Sequence, residues 1–551
     1  MIESIRKSLA CDFRNIQTRL GHASRTSIDQ VFQMIRNASL TDLANLYKEY
    51  VKQLCSRPSA GEVAYIGDLE FVTAGDPVAI QALKQGLGFF SRLHANVDQE
   101  TQLAQLRDTA DRLSSDVELH LTAVELDHAR YFIRRMIGGR PPEIRSLRFR
   151  HGPGAVATRE KGLEKLYFKS TFMKVDAYLG YDSEALLRLP HQPLRALDRI
   201  DPVTRVIAVP KDALKIRTIS CEPLTMQFLQ QGLMDELYRR MFRRPGAHFP
   251  FEDQARALSL ARLGSECHQW GRSTQPCTID LSNASDDVKI KHVEALFPTE
   301  WAECLLAFRS DAAWFPMLDQ EVTLNTFAPM GAATCFPVES LVFAALRYAA
   351  DRTTGRRVAG SDWTQVGDDT ITAAYTFSAV CDLYERAGFH LNVSKCCGPE
   401  VRFRESCGGE FFEGEDVSIV RPRILPKFHT FYATAPTVQL VSALNARSFR
   451  QTAQLIADTI RGPVAIGDGP AYAPAGYHYP CLGRRRYNER WQRWEQQTMV
   501  EIPWGGTLLS AVEGWEPLYN WFTSHWRSET RFSNGRTKSV RTWLPCQVMD
   551  A

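Results

Sequence analysis

One ten-residue stretch constrains this chain more than any other: WTQVGDDTIT, residues 363–372. Val366 and the alternating Thr370-Ile371-Thr372 ask for strands, and Gly367 between them suits a tight turn. Asp is a poor strand residue. Two adjacent carboxylates, Asp368 and Asp369, repel each other unless positive charge sits beside them. Two readings of a doubly acidic hairpin tip stay open. One is a solvated turn, since Gly-Asp is ordinary hairpin chemistry. The other is a metal site. The pair alone does not decide between them.

The surrounding texture narrows the fold. From about 200 to 420 short strand-like pieces (RVIAVPK, IRTISCEP, CTIDLS, QVGDDTIT, GGEFFEGEDVSIV) are separated by helical stretches such as FPVESLVFAALRYAA, which predicts a mixed α+β core. Residues 1 to about 150 read mostly helical. Leu40, Leu43, Leu46, Tyr47, Tyr50, Val51 and Leu54 recur at helical spacing, with Thr41 or Asp42 near the start. RHGPGAVAT at 150–158 breaks that pattern, and beyond Arg423 the periodicity predicts helices again. The basic-aromatic run RRRYNERWQRW at 484–494 offers Arg for phosphates and Trp or Tyr for stacking; a basic helix with its Trp residues on the core explains it equally well.

With 551 residues the chain can bury several subdomains, but a net charge of only +3 confines any nucleic-acid surface to a local groove. Thirteen scattered cysteines without a CxxC pair predict reduced thiols packed as small core residues. No apolar run approaches a membrane span, and the first twenty residues lack the apolar core of a signal peptide, so the expected setting is the cytoplasm where the chain is made.

Three further segments can join the acidic hairpin. In CTIDLSNASDDV, Asp280 ends a short apolar strand and Asp286 and Asp287 follow at a helix start. Carboxylates so placed can hold two Mg²⁺ ions for in-line phosphoryl transfer; taken alone, Asp280 reads first as a helix cap or turn residue. In RVIAVPKDALKIRTISCEP, Lys211, Lys215 and Arg217 can clamp a triphosphate or form a solvated basic surface. In APMGAATCFPVESLVFAAL, the small residues around Gly331 permit close approach of a nucleic-acid backbone, or simply lead into a core helix.

In this order, a basic strand pair, DLSxxSD, MGxxxxFxxES and GDD resemble the RNA-dependent RNA polymerase, or replicase catalytic subunit, of the positive-strand RNA bacteriophages (the levivirus group). HGPGA at 151–155, GFHLNVSKCCGP at 388–399 and FRESCGGEFF at 403–412 fit the same pattern. The resemblance implies a right-hand polymerase: a helical region over 1–150 bridging fingers and thumb, fingers over 151–270, a palm of antiparallel sheet flanked by helices over 271–425, and a helical thumb over 426–551. It implies metal and catalytic roles for Asp280, Asp368 and Asp369, with two Mg²⁺ ions for which Mn²⁺ substitutes. Lys211, Lys215 and Arg217 then meet the incoming triphosphate. Asp286 falls at the ribose-recognition position, beside Gly331, Glu339 and Ser340, and Lys395 at a general acid toward pyrophosphate. Many other viral polymerases place Asn where Glu339 stands.

The implied partners are RNA template and product, ribonucleoside triphosphates, the host elongation factors Tu and Ts, and a ribosomal RNA-binding protein. A reverse transcriptase shares a palm with paired Asp residues, but usually with an aromatic and then a variable residue before them, where this chain has Val366-Gly367. A catalytically silent RNA-binding protein has no use for the whole acidic and basic set, and a metal-dependent nuclease has none for a triphosphate clamp.

Overall fold

The computed structural model describes residues 2–458 with interruptions, among them 94–96, 182–186, 188–196, 244–248, 250–253, 356–362 and 423–439, and the backbone of 485–488, 493–503 and 537–545. The first body is built by four helices, α1 (Ile2–Leu20), α2 (Arg25–Asn37), α3 (Leu40–Ser56) and α4 (Pro77–Gly88), and a hairpin of β1 (Val63–Ile66) and β2 (Leu69–Val72). Helix α3 is capped by Ser39, whose Oγ accepts from the Asp42 N–H at 3.0 Å, so Thr41 and Asp42 fall in its first turn, near the start as expected. The apolar face of α3, with Leu43, Tyr47, Tyr50, Val51 and Leu54 buried, packs into the same core as Phe13, Phe71, Leu83 and Phe403.

Two helices, α5 (Gln99–Ser114) and α6 (Ala123–Ile137), lead into the strand-bearing part of the chain. Strands β3 (Ser170–Thr171) and β4 (Asp198–Arg199) pair in parallel, with α7 (Met173–Leu179) following β3. A four-stranded sheet of order β10-β9-β5-β6 joins the hairpin β5 (Val203–Pro210) and β6 (Ile216–Cys221) to β9 (Ala312–Phe315) and β10 (Gln320–Thr323). Between them in the chain run α8 (Leu224–Arg243), α9 (Ala255–Ser265), β7 (Pro276–Ile279), β8 (Leu281–Ser282), α10 (Ala284–Asp287), α11 (Ile290–Leu296) and α12 (Thr299–Ala307).

The second sheet, β11-β12-β7, is antiparallel; β11 (Thr364–Val366) and β12 (Asp369–Ala373) form the hairpin foreseen in the sequence. Apart from Asp369 at the tip, its strands are buried, which requires helices over it. These are α13 (Cys335–Thr353) and α14 (Ala374–Arg386), together with α9, whose Ala257, Leu260 and Ala261 share a core with Val366 and Ile371. Helix α13 is apolar nearly all round and sits in the core, with Pro337 in its first turn where no intrahelical N–H is lost. Its buried Arg347 pairs with Asp351 and lies 4.0 Å from the Trp363 ring centroid, tying the helix to the residue that opens the acidic hairpin. Beyond, β13 (His390–Leu391) pairs with β8, and β14 (Phe403–Ser406), β15 (Gly409–Phe412) and β16 (Glu415–Asp416) make a meander against α9 and the first body.

The mixed α+β class is thus what the structure shows. The last part of the chain differs from the helical expectation. After α15 (Arg450–Ala457), the described backbone is a three-stranded antiparallel sheet of β17 (Arg485–Asn488), β18 (Arg493–Pro503) and β19 (Thr537–Pro545). The basic-aromatic run is therefore strand, not helix, where it is described, with Tyr487 registered opposite Trp494. The β-branched residues Thr498, Val500 and Ile502 at every second position of β18 carried that signal. Helix α15 falls in the stretch read as helical and meets that expectation; beyond Asp458, and apart from these three strands, the remainder of the predicted thumb lies outside the described residues.

Candidate active site

The chain contains its own control for the doubly acidic turn. Gly67-Asp68 and Gly367-Asp368 each form the two-residue loop of a hairpin, between Ile66 and Leu69 and between Val366 and Asp369. The glycines take nearly the same left-handed φ, 60° and 62°, as a loop with Gly at its first position requires. Asp68 is exposed, an ordinary solvated turn. Gly367 is buried and Asp368 and Asp369 only partly accessible. The same local chemistry has been placed where water does not solvate it freely.

The register of the second sheet sets the acidic group. Thr370 pairs with Ile279 in the antiparallel ladder of β12 and β7, so one step further along the same register Asp369 faces Asp280. Burial, then Asp368, Glu405 and Asp280, push the Asp369 carboxyl up to about 7. Burial and the Asp368 charge likewise raise Asp280, against Lys395 and the Asn392 amide, which donates to Asp280 Oδ2 at 2.6 Å. Asp368 is raised by burial and pulled back by Lys211, Lys395 and Arg217. Burial is the largest cause for all three, and the nearby cations do not offset it.

Lys395 stands 3.9 Å from Asp280 and 4.0 Å from Glu405, and Glu405 first, then Asp280, keep its ammonium above the usual value. Lys211 follows β5 and Arg217 lies in β6, opposite Val209. Desolvation, with Arg217 and Lys395 beside it, lowers Lys211 although its side chain reaches solvent. Lys215 is exposed at the other end of the same loop, its N–H donating to Asp212 Oδ1 at 2.9 Å; it acts on Lys211, while Lys211 and Arg217 are the two of the three whose charge acts on Asp368.

Behind the tip, Ser340 Oγ accepts from the Gly367 N–H at 3.0 Å and donates to the Phe336 carbonyl at 2.8 Å, pinning the hairpin to α13. Buried Gln365 donates to the Gly367 carbonyl at 2.8 Å. Glu339 accepts from Ser285 Oγ at 2.6 Å, and burial followed by the Asp368 and Asp286 charges lifts it to about 8. Asp286 pairs with Arg112 at 3.5 Å. A Cβ on Gly331 would lie 2.3 Å from the Ser220 carbonyl oxygen, at a φ of 122°, and the Ser220 N–H donates to the Met330 carbonyl at 2.8 Å. The approach of β6, a neighbouring protein strand, by itself requires a glycine here.

The structure thus brings Asp280, Asp368, Asp369, Lys395, Lys211 and Arg217 to one place, with Asp286, Glu339 and Ser340 beside it. Glu405, Asn392, Gln365 and Arg112 belong to the same surroundings and were not singled out in the sequence. Among the described residues no three His, Cys, Asp or Glu side chains gather closely enough to hold a metal ion by themselves. The donor set is all oxygen and under-neutralised, which suits Mg²⁺, an ion that commonly takes one or two carboxylates and completes its shell with water and substrate phosphates. We expect Ser340→Ala to strand the buried Gly367 N–H and cost about 1–3 kcal/mol of stability, read by urea denaturation.

The model of the family described as RNA replicase, beta-chain, matches residues 92–424, more than half of the chain. The chain belongs to this family. Family members named RNA-directed RNA polymerase subunit beta are similar to it. That of Enterobacteria phage SP is 34% identical over 39% of this chain and 35% of its own length, and that of Escherichia virus Qbeta 29% identical over 60% and 54%. The chain thus matches about half, or less, of the length of these curated relatives. Among solved structures, the RNA-dependent RNA polymerase of a human picorbirnavirus aligns with a TM-score of 0.38 and 12% identity, over 66% of this chain and 73% of that one.

Proposed function

We propose that this replicase family member is an RNA-directed RNA polymerase, joining the α-phosphorus of a ribonucleoside triphosphate to the 3′-hydroxyl of RNA and releasing pyrophosphate. The observation that carries the reading is the meeting of Asp280, Asp368 and Asp369 with Lys211, Arg217 and Lys395: excess negative charge that invites divalent cations, faced by guanidinium and ammonium groups that invite phosphates. Bound at the three aspartates, two Mg²⁺ ions would supply the Lewis acidity that activates the hydroxyl and offsets charge on the phosphates. Arg217 and Lys211, with Lys215 at the loop, bind and orient the triphosphate. Lys395, kept protonated by Glu405, gives its proton to the departing pyrophosphate. Ser285, Asp286 and Glu339 hold the hydrogen-bonding wall for the ribose, and Ser340 and Gln365 keep the hairpin tip in place.

In this reading 151–270 form fingers, 271–425 a palm and the remainder thumb and bridging parts. The beta designation of the relatives fits an enzyme of several subunits, for which the host elongation factors Tu and Ts and a ribosomal RNA-binding protein are the proposed partners. Among the described residues no helix is long and apolar enough to cross a membrane; the proposed setting is the bacterial host's cytoplasm. The test is incorporation of labelled nucleotides on an RNA template with Mg²⁺, ribo- and deoxyribonucleotides compared, using protein copurified from a bacterial host. Ribonucleotide incorporation is expected. Preference for deoxyribonucleotides would make it a reverse transcriptase, and none with either would leave an RNA-binding protein.

A further inference from the structure

Away from the acidic hairpin, α6 and α8 end together around a cleft of about 380 Å³ lined by Ile137, Arg239, Arg240 and Arg243. Its floor is fixed. Arg240 donates to the carbonyl oxygens of Ile137 and Arg140, holds Glu236 at 2.6 Å, and lies 5.1 Å from the ring centroid of fully buried Trp301. Arg239 holds the same carboxylate at 2.7 Å. One carboxylate therefore serves two guanidiniums. Arg243 is exposed and makes no hydrogen bond or ion pair among the described residues.

Arginines in a last helical turn offset the negative end of the helix dipole, and Arg240 does cap α6. That accounts for Arg240. It does not account for the excess charge around the cleft or for the choice of residue. Between Lys84 and Lys161 the chain has eleven arginines and no lysine, and α8 has none either. Where only solubility or dipole compensation is at stake the two residues are interchangeable; the planar fork matters where phosphate is gripped. The cleft also lies off the catalytic centre. Gln230 of α8 accepts from the Ala333 N–H beside Gly331 at 3.1 Å, and Arg240 is ten residues further along, roughly 15 Å at 1.5 Å per residue.

We propose that this cleft is a second anion site, gripping backbone phosphates of an RNA strand that extends beyond the catalytic centre. Arg239 and Arg243 supply the forks and Arg240 the rigid floor. The assignment rests on the reading that the chain handles RNA. The test is the salt dependence of single-stranded RNA affinity, followed by fluorescence anisotropy with the full chain as wild type, as Arg239→Ala/Arg243→Ala, as Arg243→Glu and as Asp368→Asn.

Loss of two phosphate contacts should flatten the slope of log K against log salt by about 1.4 in the double variant, at roughly 0.7 per contact for a single strand. Arg243→Glu, at an exposed side chain, should weaken binding in the same direction without disturbing the fold. Asp368→Asn should lose incorporation and keep the wild-type slope, which separates this site from the catalytic reading. Wild-type slopes in both arginine variants would overturn the proposal. So would an unchanged slope with loss of an acidic protein that copurifies with the wild type. A wild type that binds no RNA would overturn both readings.

Discussion

Replacing Asp368 by Asn is expected to lower nucleotide incorporation by about a thousandfold or more while leaving the fold intact. The substitution keeps size and shape at the hairpin tip and removes the charge that raises the proton affinity of both Asp280 and Asp369. Losing a charge that stabilises the transferring phosphoryl group is worth several kcal/mol, and each 1.36 kcal/mol is tenfold in rate. The same substitution relieves repulsion, so the melting temperature without divalent metal should stay level or rise. Asp68→Asn, in the hairpin with the same Gly-Asp loop, is the matched control and should change neither quantity. Incorporation by Asp368→Asn at near the wild-type rate would remove the acidic hairpin from the mechanism.

The second large effect is on stability against pH. Asp369 is pushed to about 7 and Glu339 to about 8 in the folded protein, both above their unfolded values. For a carboxyl raised on folding, the folded state binds the proton more tightly. It adds no penalty below the unfolded value, near pH 4; its cost grows as pH rises from there to the folded value and levels off above it. For Asp369 the full cost is roughly 4 kcal/mol above pH 7. The difference in melting temperature between Asp369→Asn and wild type should therefore widen from pH 5 to pH 8, with the variant the more stable at pH 8. Millimolar Mg²⁺ should close much of that gap by stabilising the wild type, since a ligand held by the folded state alone adds stability. A gap that stays constant with pH would mean that solvent screens Asp369 in the native protein.

These effects depend on groups that differ in how far the sequence exposed them. The hairpin 364–373 was legible because strand alternation and turn chemistry are local, and Asp280 because it ends an apolar strand. Facing Asp280 with Asp369 is a matter of register between strands about ninety residues apart, which local pattern does not encode. Glu405 and Asn392 look like ordinary strand and turn residues; only β14 and the turn after β13 bring them to Lys395 and Asp280. Gly331 was read as a site of close approach, but the strand that comes close was not legible. Its close approach is to β6, a contact of high sequence separation. The β1–β2 hairpin was absorbed into a helical reading of the first 150 residues, though its Gly-Asp turn is spelled like the one at 367–368.

Residue 331 also sets how much variation the centre tolerates at a position carrying no charge and no donor of its own. With a single hydrogen as side chain, it lets the basic strand and the entry to the long core helix share one seam. Any methyl there acts as a wedge, parting Arg217's strand from the helix that steadies the acidic tip. The mutational alphabet at this site is one letter long, and enforcing it is a spacing between two backbones.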